Sequence, residues 1–274
     1  MPTRRSFVVA DAQEEGASAP MAEPMKQFLV HPIMPLHVGG LDLSITNSTV
    51  SMAVAAVILT GFFTLAFARP AVVPSRVQSV GELLYGLIDD LAHSIIGHSS
   101  ASFFPLVFSL FGFIATMNLL GMFLVFTPTA QLAVTATLAL LTILIVVVVG
   151  FWKNGFGFFK LFVPSGVPIA LLPLMIPIEV ISFLVRPLTL ALRLFGNMLG
   201  GHVVLNIFGS FVVGLGLLGL AGGVATLGFF GSALALSSIV ALIALEFIVA
   251  FLQAFVFAAL TCVYLNDVVN LHSH

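Results

Sequence analysis

Along this 274-residue chain, apolar residues gather into long blocks rather than alternating with polar ones. A first block runs from about Val50 to Ala68 and stops at Arg69-Pro70, where a charge and a helix breaker coincide. The next segment, VQSVGELLYGLIDDLAHSIIG, repeats Val77, Val80, Leu83, Leu84, Leu87, Ile88, Leu91, Ile95 and Ile96 at helical spacing, with Glu82, Asp89, Asp90 and His93 off that stripe. Such a pattern predicts an amphipathic helix lying along the membrane surface. Two spans follow, about Phe103 to Phe126 and Leu132 to Trp152, joined by TPTAQ. Beyond Pro168 the apolar sequence continues to about Phe208, and a last block runs from about Phe229 to Leu265. At about 1.5 Å per residue, each exceeds a hydrocarbon core of about 30 Å, so both must tilt strongly or kink. Residues 209–231 between them hold eight glycines and no charge, which predicts a turn.

The fold class is therefore an all-α polytopic membrane protein, with about five embedded helices, one surface helix, and a tilted hairpin over about 168–267. Residues 1–45, mixed, polar and proline-punctuated, form a separate tail without the apolar core of a secretory signal. The membrane domain is 46–274.

Composition agrees with this class. The chain is 60% hydrophobic and only 7% charged, with a mean hydropathy of +1.20, against about 25% charged in soluble domains. The net charge of −2 offers no basic face for nucleic acid. A single cysteine, Cys262, cannot form an internal disulfide and reads as a packing residue, and the scattered histidines suggest no metal site. Arg69, Arg76, Lys153 and Lys160 fall on one side of the predicted spans, the cytoplasmic side by the positive-inside rule.

The charges inside the apolar blocks carry the chemistry. Stepping about 100° per residue places Glu179, Ser182, Arg186, Thr189 and Asn197 within about 40° of Arg193 on an otherwise apolar helix. His202 and Asn206 lie round the other side. On the last helix, Glu246 and Gln253 are nearly eclipsed. Lipid offers no hydrogen-bond partners, so these groups must face protein or water. An arginine at mid-bilayer costs from about 2.5–3.5 kcal/mol on insertion scales to about 10–17 in simulation. Glu179 cannot neutralise Arg193, being about 21 Å away along the helix. Arg193 therefore reads as a functional cation. Glu246 has no basic neighbour on its own helix and reads as a proton-binding group. His202 alone would pass for a buried histidine; with Glu246 as partner it reads as a second proton group. Glu179 fits either a helix start near the headgroups or a proton site. Asn197, Gln253 and Ser182 fit interhelical hydrogen bonding or a water-lined path equally. Arg186 is expected to snorkel to the surface.

LRLFGNMLGGH, with Glu179 fourteen positions before the arginine and EFIVAFLQAFVFAALTCVYL near the end, resembles subunit a of the F-type ATP synthases from about Val50 onward. The resemblance implies that Arg193 is the arginine facing a rotating c-ring, with Asn197 one turn on. It implies that His202, Glu246 and Gln253 serve an outer half-channel, in the order of the mitochondrial and alphaproteobacterial type, and that Glu179 with Ser182 serves the inner one. Implied partners are the c-ring, peripheral-stalk subunit b, the lipid bilayer and protons as the transported ion. No cofactor, nucleic acid or direct nucleotide binding is implied, and no Gly-rich phosphate loop is present. The implied location is a bacterial inner membrane, with the mitochondrial inner membrane as the alternative. The chain departs from the pattern at Gly121, where some relatives carry an acid. A self-contained secondary ion-coupled transporter is the rival reading, but it calls for two related halves, and none is visible.

Overall fold

The computed structural model describes residues 32–34, 37–38, 41–42, 44–123, 127–163, 171–220 and 226–270. Among the described residues, four short strands come first: β1 (Pro32–Met34), β2 (His37–Val38), β3 (Leu41–Asp42) and β4 (Ile45–Thr46). They pair as two nested antiparallel ladders, β1 with β4 and β2 with β3. The end of the segment read as tail thus has defined structure, while residues 1–31 lie outside the described residues.

Six α-helices follow: α1 (Asn47–Phe67), α2 (Arg76–Ile96), α3 (Ser100–Phe123), α4 (Leu132–Asn154), α5 (Leu172–Gly219) and α6 (Leu227–Val269). Thr46 caps α1 by accepting from the Thr49 N–H, and Ser75 caps α2 by accepting from that of Gln78. Gly97 and Gly155, at φ 74° and 53°, end α2 and α4 in a region that other residues enter only with strain. Among the described residues, five stretches are long and apolar enough to cross a membrane. Within one of them, α2 and α3 follow each other across a short 3₁₀ turn, Gly97–Ser99. The polytopic all-helical fold and the amphipathic α2 match the sequence reading.

Two compact units divide the chain: residues 30–200 with 245–274, and a second one that includes 201–244. In the first, the turn between α1 and α2 is closed by buried Gln78. Its Nε2 donates to the Ala71 carbonyl (3.1 Å) and to Glu82 (2.7 Å), and its Oε1 accepts from the Ala71 N–H (3.3 Å). Gly81 lets Phe67 approach α2, where a Cβ would sit 3.3 Å from the ring. The stripe read as one face of α2 divides: Ile88 and Ile96 turn inward beside Ala92, whereas Val77, Val80 and Leu83 stay exposed on the outside.

In the second unit, the antiparallel ends of α5 and α6 approach closely through glycine. A Cβ on Gly228 would lie 2.5 Å from the Leu215 carbonyl oxygen and 2.9 Å from the Gly219 nitrogen. Ser232 Oγ donates to the Val212 carbonyl across the pair at 2.9 Å. The hairpin turn is narrower than the glycine count suggests, because α5 continues to Gly219. With no water in the hydrocarbon, releasing those backbone groups would cost several kcal/mol each, against about 1 kcal/mol for a glycine in a helix.

Candidate functional site

The site is built on α5 and the facing end of α6. Buried Phe183, Pro187, Leu190, Ala191, Leu194 and Met198 form the packed face of α5, and they fall about 60–160° round the helix from Arg193. The polar stripe therefore runs along the flank of the packed face. Ser182, Thr189, Arg193 and Asn197 are exposed, and Glu179 and Arg186 half-buried. Pro187 removes one backbone donor inside the helix, and Thr189 Oγ1 donates to the Arg186 carbonyl at 2.9 Å beside it.

On α6, Ala250, Ala254, Ala258 and Cys262 recur every fourth residue and are fully buried, a small-residue face that permits close helix approach. Asn118 of α3, also fully buried, donates from Nδ2 to the Ala250 carbonyl at 2.9 Å. Phe111 meets Phe251 edge to face at 5.6 Å between ring centres. Glu246 and Gln253 are buried on either side of Ala250. Asn197 Nδ2 donates to Gln253 Oε1 at 2.7 Å, joining α5 to α6. Among the described residues no acceptor reaches Gln253 Nε2, and no donor reaches Asn118 Oδ1. These two buried atoms retain unused hydrogen-bonding capacity inside the packed helices.

Arg193 has no carboxylate within 4.0 Å among the described residues; the ion pairs go to Arg186 instead. Arg186 Nη1 bonds Asp267 Oδ2 at 2.6 Å, and Nη2 lies 3.9 Å from Glu179 Oε1. Its guanidinium also stands over the rings of Tyr264 (5.3 Å) and Phe183 (5.7 Å). The expectation that Arg186 snorkels is thus corrected: two aromatic rings and a carboxylate from another helix hold it against protein. Asp267 was missed as a site residue, although it lies within about 40° of Gln253 on α6. His202 falls in the unit containing 201–244 and is half-buried there, whereas Glu246 falls in the other.

The end of α6 is fastened by two further amides. Asn154 Nδ2, from the end of α4, donates to the Val268 carbonyl at 2.6 Å, and Asn270 Nδ2 donates to the Ile96 carbonyl of α2 at 3.2 Å. Gly121 is buried in α3 with Thr127 folded over it. Thr127 Oγ1 donates to the Gly121 carbonyl at 3.1 Å and would lie 2.7 Å from a Cβ at position 121. There is no room for an acidic side chain at that position.

Five long apolar helical stretches, with ionisable side chains set into the last two, define a multi-pass, all-helical membrane protein. Residues 49–266 match the family described as ATP synthase A chain. A protein of Rhizobium johnstonii named ATP synthase subunit a is 51% identical over 254 residues, spanning 92% of this chain and 99% of its own. One of the same name from Rhizobium rhizogenes is 52% identical over 252 residues, spanning 92% and 98%, and one from Chelativorans sp. is 49% identical over 249 residues, spanning 90% and 98%. The chain belongs to the ATP synthase A chain family. Membership places it in the membrane sector, in ATP synthesis and proton transport, with the rest of the F-type complex as its partners.

Proposed function

We propose that this chain is the stationary proton-translocating subunit of the synthase, giving a rotating c-ring two offset half-channels separated by Arg193. The observation that carries the reading is the state of Arg193: a permanent cation, exposed on an apolar helix, with no carboxylate within 4.0 Å among the described residues. A charge placed there at a cost of several kcal/mol is explained by a carboxylate brought from outside the chain. The ring supplies one at each step.

In this scheme protons enter from the outside past His202, Glu246 and Gln253, with Asn197 holding Gln253 in place. They neutralise a ring carboxylate, which can then turn into lipid. A ring carboxyl that has completed the turn gives up its proton past Ser182 and Glu179, and the carboxylate so formed then passes Arg193. His202 and Glu246 both lie nearer the glycine-rich turn along the chain than the Asn197–Gln253 bond, and Glu179 lies on the other side of it. This order supports two separate water paths. Subunit b of the peripheral stalk is the proposed static partner, and a bacterial inner membrane, as in the alphaproteobacterial relatives, the proposed location. The reading assigns no nucleotide chemistry to this chain.

Replacing Arg193 with Gln or Ala and measuring ATP-driven proton pumping in membrane vesicles tests the reading. The expected result is loss of pumping with the complex assembled. Retained pumping overturns it.

A further inference from the structure

The proton path as proposed uses Glu179 but not the two charges grouped with it at the start of α5 and the end of α6, Arg186 and Asp267. There one guanidinium stands between two carboxylates. Arg186 gives its short bond, 2.6 Å, to Asp267 on the other helix, and stands 3.9 Å from Glu179 on its own. The Tyr264 and Phe183 rings, 5.3 and 5.7 Å from its central carbon, restrict how the fork can turn. An arginine fork pairs best with one carboxylate at a time, through two parallel bonds. A carboxylate so engaged has few lone pairs left at which a proton can land. Glu179 is half-buried and only loosely paired, so its oxygens stay open to water.

We propose that Asp267 is a positioning residue that holds the Arg186 guanidinium off Glu179, leaving that carboxylate open to exchange protons. The inference rests on the reading of Glu179 as the proton-releasing group. It gives Asp267 a task distinct from fastening two helices. Without its carboxylate, Arg186 has one acidic neighbour left, already 3.9 Å away, and a small side-chain rotation closes that pair.

The test compares Asp267→Asn, Arg186→Gln, Glu179→Gln and the double variants Arg186→Gln/Asp267→Asn and Glu179→Gln/Asp267→Asn in the whole complex. Pumping is read in inverted vesicles and subunit content in the same membranes. Asp267→Asn is expected to slow pumping about tenfold, within the range shown by coupled neighbours. Adding Arg186→Gln should recover most of that loss, because the guanidinium that captures Glu179 is then gone. Adding Asp267→Asn to Glu179→Gln should cost nothing more. A double Arg186→Gln/Asp267→Asn variant as slow as Asp267→Asn alone overturns the inference, as does loss of the Asp267→Asn chain from the membrane while the double variant assembles, because the defect would then be an unpaired guanidinium among the packed helices and not a captured Glu179. Normal pumping by Glu179→Gln overturns the release reading itself. Slow pumping by Glu179→Gln without suppression by Arg186→Gln overturns the positioning role alone.

Discussion

Gly121 offers the sharpest test of how packing limits chemistry in this chain. Building a Cβ there brings it to 2.7 Å from Thr127 Oγ1 and 2.9 Å from Thr127 Cβ, both inside van der Waals contact. Thr127 cannot rotate away cheaply, because it is β-branched, buried, and bonded through Oγ1 to the Gly121 carbonyl at 3.1 Å. Overpacking costs about 1–3 kcal/mol, and losing the hydrogen bond adds about 0.5–1.5. Gly121→Ala should therefore destabilise the chain by roughly 2–4 kcal/mol. Gly121→Asp should cost more, since it also buries a carboxylate without a cation. The assay is the fraction of chain retained in the solubilised complex after stepwise heating, with pumping measured before heating. Thr127→Ala in the Gly121→Ala background should restore about half the loss, because the Thr127 Cβ stays in place. Wild-type heat resistance in Gly121→Ala, or normal pumping and stability in Gly121→Asp, would refute the packing argument.

Two further outcomes follow from the hairpin. Gly228→Ala places a methyl group against backbone atoms of Leu215 and Gly219, which cannot step aside as a side-chain tip would; a loss of at least about 1–3 kcal/mol is expected, read as faster proteolysis at the turn. Glu246→Gln should slow ATP-driven proton pumping while subunit content stays normal, and unchanged flux at several pH values would remove Glu246 from the path.

The long helices were legible because burial in lipid leaves the backbone almost no alternative: an apolar run of sufficient length must become helix. For the same reason α5 extends past the expected Phe208 to Gly219 despite its glycines. The polar stripe on α5 could also be read from the sequence, since it follows from helical periodicity alone. Pairings across helices could not. Arg186 and Asp267 are 81 residues apart, and only the antiparallel register of α5 against α6 brings them together. Asn118, bonded to the Ala250 carbonyl 132 positions away, was hidden for the same reason. Arg186 looked like a surface cation because a one-dimensional stripe gives the direction of a side chain without naming what stands opposite it. The strands β1 to β4 were missed because two- and three-residue strands are too short to show alternation.

The three side-chain ties at the end of α6, to α2, α4 and α5, have a mechanical consequence. If a rotor is pushed past the Arg193 face, an equal sideways load falls on the helices that carry it. Short polar links to three different neighbours spread that thrust, so no single joint has to bear it. Cutting any one of them should let the anchorage creep under torque, and such slack would show as wasted ATP at high load well before it appears at rest.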